Sequence, residues 1–251
     1  MMGGHHAISG AATWLAVTGS ATIGDRALGA GVLDLTGPEV LAGTVVASGA
    51  ALLPDIDHPS ATIARSAGAV SKLASSATSS AVGHRGATHT LLAVAGFTLA
   101  GVLVASVGWS IQVPMVGQVE ITTTAVVAAL CAFAVRALKL TTGTLSPWLI
   151  GIGAGLLVGL LAPESSIWLP AAVGLGSLVH LLGDLLTTDG IPFPTWPLVL
   201  KPSERSSSPL WQASGDVAVP ILGDAGSARE WALCAALSLY VAVAAVTTIL
   251  P

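Results

Sequence analysis

The chain has 251 residues, of which 53% are hydrophobic and only 9% are charged, with a mean hydropathy of +0.83. So apolar a composition excludes an ordinary soluble domain and puts the chain in a bilayer. The formal net charge of −4 speaks against general nucleic-acid binding, although basic residues between Arg65 and Arg85 form a local patch.

Six or seven largely uncharged apolar segments follow one another, most of them long enough to cross ~30 Å of hydrocarbon at ~1.5 Å per residue. The first, residues 7–23, begins directly after His5 and His6. No Lys or Arg precedes it and its apolar run exceeds a usual signal h-region, so it is expected to stay as a span. The second, residues 40–53, is the shortest. Pro54 disfavours helix at Leu53 and is expected to end the segment, leaving Asp55, Asp57 and His58 in a loop. In an extended turn both carboxylates point the same way. Residues 66–80 are rich in Ala and Ser and read as a loop or short surface helix over this region.

The motif GHRGATH at 83–89 sets His84 and His89 five apart, which is wrong for one helix face, and Gly83 and Gly86 suggest a turn into the third segment, 90–108. Arg85 carries a planar fork suited to a phosphate or carboxylate, and equally to pairing with one of the aspartates. The fourth segment is 121–138. The fifth, 148–162, repeats Gly151, Gly155 and Gly159 every fourth residue, a small face for close helix packing in lipid. Cys131 and Cys234 each lie within an apolar segment and read as small buried residues. The sixth segment, 167–186, carries His180 and Asp184 four apart, hence stacked on one face with Cβ atoms ~6 Å apart. An unpaired carboxylate inside a membrane costs several kcal/mol, so such a pair is functional by default. Pro192, Pro194, Trp196 and Pro197 suggest a rigid interfacial turn, residues 201–209 a polar loop, and 230–250 the last span.

Together these elements predict an all-α, polytopic transmembrane helix bundle of six to seven segments, a single integral-membrane domain over 1–251. Lys and Arg of short loops stay on the cytoplasmic side. With the amino terminus inside, Arg65, Lys72, Arg85, Arg136, Lys139, Lys201, Arg205 and Arg229 are all inside and only Arg26 is outside. The motif loop 54–89 and the polar loop 187–229 are then cytoplasmic. The same threading brings His6, the PDIDH motif, His89 and the His180–Asp184 pair to one membrane face. Charge bias and motif placement are independent, and they agree.

All six histidines lie in these motifs. The candidate metal ligands are His6, Asp55, Asp57, His58, His84, His89, His180 and Asp184. Eight exceed what one tetrahedral zinc takes, so two ions are implied, or one with an elaborate outer shell. Mixed imidazole and carboxylate ligation suits Zn²⁺, Mn²⁺ or Fe²⁺ and not Cu(I). Metal ions so placed favour phosphoester hydrolysis, with one aspartate, Asp57 among them, as general base and Arg85 on the phosphate. HExxH, GxSxG and P-loop motifs are missing.

At these residues the chain resembles the YdjM-like inner-membrane family, described as metal-dependent hydrolases. The resemblance is carried by His6 with Gly10, LPDIDHPSA at 53–61, GHRGATHT at 83–90 and HLLGDLLTTDGIPFPTWP at 180–197. It implies a polytopic bacterial inner-membrane protein with a divalent-metal site. The HxxxD and the amino-terminal histidine are also similar in outline to the zinc-dependent phospholipase C and single-strand nuclease superfamily. That points to phosphate esters, although those enzymes are soluble and use a trinuclear site with spacings that do not align here.

Three functions follow as expectations. The first is a hydrolase acting on a phospholipid or lipid-linked phosphate at the cytoplasmic interface. The second is a divalent-metal or proton transporter, which the position of the candidates at segment ends disfavours, since transport sites lie near the midplane. The third is a nonenzymatic membrane protein stabilised by metal. Oligomeric state is not legible.

Overall fold

A computed structural model describes residues 1–58, 61–66, 86–114, 117–162, 166–192, 196–198, 200–203 and 206–250, with Arg65 described by its backbone alone. Seven α-helices make up the described protein: α1 Gly3–Thr18, α2 Gly37–Ala50, α3 Leu91–Val107, α4 Ile121–Ala137, α5 Ser146–Leu161, α6 Trp168–Leu185 and α7 Ala228–Ile249. Each expected apolar segment holds one of them. Among the described residues, strands form three two-stranded antiparallel ribbons: β1 Thr22–Ile23 with β2 Arg26–Ala27, β3 Ser110–Val113 with β4 Gly117–Glu120, and β5 Ile191–Pro192 with β6 Asp216–Val217.

Local chemistry explains where the helices begin. The Glu39 carboxylate reaches back to the backbone N–H of Thr36 at 2.7 Å, and Pro38 occupies the first turn of α2. Thr90, Glu120 and Ser227 cap α3, α4 and α7 by accepting from Ala93, Thr123 and Glu230. The first helix departs from its expected bounds. It starts at Gly3 and stops at Thr18, because Gly19 turns to an extended conformation and the chain folds back through the β1–β2 hairpin.

The buried core gathers Trp14, Val46, Val127, Leu130, Trp168, Leu169 and Val173 around α2. Trp14 donates its indole N–H to the Val40 carbonyl at 2.8 Å. Helices approach so closely that glycine is required at several contacts. A Cβ at Gly10 of α1 or Gly176 of α6 would run into the Ala47 carbonyl, and Cβ atoms at Gly151 and Gly155 of α5 would run into the Ala128 and Thr124 carbonyls of α4. The glycine repeat of the fifth segment is therefore a helix-packing face.

By length and composition, Gly37–Asp57, Trp168–Leu185 and Ala228–Ile249 are long and apolar enough to cross a membrane, while α3, α4 and α5 are apolar but shorter. Leu91, Leu92, Leu99 and Leu103 of α3, Leu149, Leu156, Leu157 and Leu161 of α5, and Leu239, Val246 and Ile249 of α7 are exposed, which suits lipid and not water. Successive helices alternate in direction. Gly4 at the start of α1 packs on Ala137 at the end of α4, and Thr248 at the end of α7 packs on Gly37 at the start of α2. The start of α1, the end of α2, the start of α3 and the end of α6 consequently share one end of the bundle.

Candidate metal centre

His180 and Asp184 lie on one face near the end of α6, both buried. His180 Nδ1 donates to the Ala51 carbonyl at 2.7 Å. A carbonyl only accepts, so this bond places the ring proton on Nδ1 and leaves the Nε2 lone pair facing the cluster. From Nε2 it is 3.2 Å to His89 Nε2, 3.5 Å to Asp184 Oδ2 and 3.7 Å to Asp55 Oδ1. His6, in the first turn of α1, stacks on His180 with ring centroids 3.7 Å apart and sets its Nε2 3.2 Å from Asp184 Oδ1. The Met1 amino group also lies on that oxygen, at 2.5 Å.

His89 enters from the short turn Ala87–His89 that leads into α3. Its Nε2 is 3.6 Å from both Asp55 Oδ1 and Asp184 Oδ2. Its other nitrogen faces outward from the cluster, 3.1 Å from the Thr88 hydroxyl and 3.6 Å from Asp57 Oδ2, and Thr88 donates to Asp57 at 2.6 Å. Burial opposes a charge on His89, but the carboxylates of Asp55 and Asp57 outweigh it and push its pKa up to about 9. A cation bound at Nε2 has to displace that proton.

Two sets of three donors result, His6 with His180 and Asp184, and Asp55 with His89 and His180. Within each, the ligand atoms all lie within 4.8 Å of one another. Nitrogen and oxygen donors of this kind fit a hard or borderline divalent ion, and the tie from His180 to Ala51 is the outer-shell bond such sites use to aim an imidazole. His180 belongs to both sets yet offers one lone pair, so it could ligate only a single ion. The two oxygens of Asp184 face different imidazoles. Of these side chains only Asp55 is appreciably exposed, at 24%, against 3% or less for the others. Asp55 therefore stands at the mouth.

The remaining expected site residues lie elsewhere. Asp57 is fully buried behind His89, 3.6 Å from its Nδ1, and lies outside both donor sets. His58 is half-buried and outside both donor sets. His84, Arg85, Lys72, Arg205 and residues 67–80 of the Ala/Ser-rich stretch lie outside the described residues. The PDIDH segment is a tight 3₁₀ turn over Pro54–Asp57 and not an extended one, and Leu53 stays helical despite the following proline. The bonds from Leu53 N to Ala50 and from Ile56 N to the Leu53 carbonyl hold it there.

Sequence reading missed three supports. They are Thr88, the Ala51 carbonyl, and Glu230 of α7. Glu230 is wholly buried and accepts from His5 Nδ1 at 2.5 Å, from Met2 N at 2.7 Å and from Gly226 N at 2.6 Å. It pins the start of α1 one residue before His6. The signal was there, since a carboxylate opening an otherwise apolar helix needs a partner.

A sequence model of the family described as YdjM inner membrane protein matches residues 1–249. The chain belongs to this family. Membership places the protein at the inner membrane, in agreement with the apolar, outward-facing helices. No curated protein and no solved structure matches the chain. The donor geometry thus stands on this family member's own residues.

Proposed function

We propose that the protein is a membrane-embedded, metal-dependent hydrolase that cleaves a phosphoester of a lipid or lipid-linked phosphate, with zinc as the preferred ion and manganese or iron as substitutes. The observation that carries this reading is the convergence of three imidazole nitrogens and two carboxylates from four separate segments at one end of the bundle, with one carboxylate exposed. Bound there, a divalent ion supplies Lewis acidity toward a phosphoryl oxygen and makes water more acidic. The protein's own part is positional. The Ala51 carbonyl and Asp57 aim His180 and His89, the stack on His180 fixes His6, and the buried walls exclude bulk water. With the ion on His6, His180 and Asp184, Asp55 at the mouth would be left to take the proton of an attacking water, the role of general base. Arg85 is assigned to the phosphate by its chemistry.

We further propose that all seven helices span or enter the bilayer and that the site end faces the cytoplasm. Arg136, Lys139 and Arg229 flank helix ends on that side, whereas Arg26 sits in the hairpin at the other. A purely structural ion is the second reading, favoured by the same four-segment ligation, which would staple the bundle. Elemental analysis of the detergent-purified protein, beside a His180→Ala, Asp184→Ala double variant, is the first test. It is followed by turnover assays on phosphomonoesters, phosphodiesters and phosphatidic acid. Near-stoichiometric metal and turnover, both lost in the variant, support the hydrolase. Metal without turnover favours the structural ion, and a wild type that takes up neither Zn²⁺ nor Mn²⁺ overturns both.

A further inference from the structure

A groove of about 410 Å³ runs beside the metal centre, lined by Thr88, by Leu92, Ala93, Gly96 and Phe97 of α3, and by Trp196. We propose that it seats one acyl chain of an amphiphile whose phosphate head lies at the metal centre, so that the substrate is drawn sideways from the bilayer. The inference rests on the hydrolase reading and deepens it by naming where the lipid chain is seated and from which side it enters.

Three observations carry it. The groove adjoins the outer shell of the site, because Thr88 lines it and also donates to Asp57 behind His89. It opens on the lipid-facing side of α3, where Leu92, Leu99 and Leu103 are exposed. Its floor is Gly96, where an added Cβ would meet no heavy atom within 4 Å. Gly101 of the same helix presses on Pro170 and Gly174 of α6 on Thr98, so packing explains those glycines. Packing does not explain Gly96, and the missing side chain keeps the groove open. Only Gly153 among the described helix glycines is equally unconstrained, and it lies on the exposed face of α5, away from the groove. Trp196 closes the groove with the side chain favoured at head-group depth. Lipid tails are as apolar as these walls, so the groove adds little affinity. Its contribution is orientation, laying the chain along α3 so that the head meets Asp55.

The test uses the full chain in phosphatidylcholine nanodiscs and two photoreactive probes, dodecyl phosphate and dodecanol, each with a diazirine at the chain end. Labelled peptides are mapped by mass spectrometry, and metal is measured in the same samples. The phosphate probe is expected to label peptides bearing Phe97 or Trp196 in excess over the alcohol. Gly96→Leu, which fills the groove without a clash, is expected to abolish that excess, and Gly153→Leu to leave it. Equal labelling by the two probes, or an excess that survives Gly96→Leu, overturns the groove. If metal is bound in those samples, the hydrolase reading still stands. An excess at the groove in protein that cannot bind metal would keep the groove and remove the metal chemistry.

Discussion

Thr88→Val isolates the support behind His89 without changing side-chain volume. The wild-type hydroxyl donates to Asp57 at 2.6 Å and lies 3.1 Å from His89 Nδ1, in a place where Asp57 is wholly buried and Thr88 nearly so. Valine keeps the shape and removes the donor. A hydrogen bond to a buried charged group is worth ~1.5–3 kcal/mol, and removing one partner exposes that cost in full. Loss of an outer-shell partner lowers metal affinity about 10- to 100-fold, or ~1.4–2.7 kcal/mol at ~1.4 kcal/mol per decade. The two figures agree in size, so one lost bond accounts for the whole effect. The assay is competition for Zn²⁺ against a chromogenic chelator in detergent, with thermal unfolding of the metal-free protein alongside. Thr88→Ser, which restores the hydroxyl, is expected within a few fold of wild type. Unchanged affinity in Thr88→Val would refute the idea that Asp57 and Thr88 hold the His89 imidazole for an ion.

Three further outcomes are expected. Glu230→Gln replaces one acceptor oxygen by a donor amide facing N–H groups of His5, Met2 or Gly226, so it should lower the melting temperature and weaken metal binding through His6, read by the same chelator competition. Gly155→Leu drives a side chain into the Thr124 carbonyl and should destabilise by ~1–3 kcal/mol or more, whereas Gly153→Leu, in open space, should stay within ~0.5 kcal/mol in thermal unfolding. His89 is raised from 6.5 to about 9, so its contribution to the metal-free protein is complete below pH 6.5 and fades as pH rises through 9. Metal-free melting temperatures should therefore fall over that window while Zn²⁺ affinity rises, and a flat metal-free profile would contradict the pairing with Asp55 and Asp57.

Much of this site was legible because its signals are periodic or positional. The four-residue spacing of His180 and Asp184 fixes a shared helix face, and alternating helix directions bring His6, Asp55 and His89 to the same end. What could not be read is what depends on a turn's shape or on contacts distant in sequence. Asp55 and Asp57, two apart, were expected side by side. The 3₁₀ turn instead sends them to opposite nitrogens of His89, so that Asp55 joins a candidate donor set and Asp57 does not. The Ala51 carbonyl carries no sequence signal at all, since any residue supplies one. Helix number was legible from apolar runs, but span length was not, because α3, α4 and α5 end in caps and hairpins that hydropathy alone does not mark.

The number of ions turns on His180. Its Nδ1 is committed to Ala51, so the ring has one free lone pair and cannot bridge. An ion that takes His180 together with His6 and Asp184 leaves Asp55 and His89 as two donors on the other side, and an ion that takes His180 with Asp55 and His89 leaves His6 and an oxygen of Asp184. Among the described residues a second ion then has Asp55 and His89 plus a share of Asp184 in the first arrangement, and His6 with Asp184 alone in the second. It would be held more weakly than the first, because a firm site draws three or four donors from the protein. Titration of the metal-free protein should therefore show one tight equivalent of Zn²⁺. Any second equivalent should be weaker and lost on Asp184→Asn, the substitution that removes the one carboxylate among the described residues that faces both sides. Two equivalents of equal affinity would show that His180 lets go of Ala51 when metal enters.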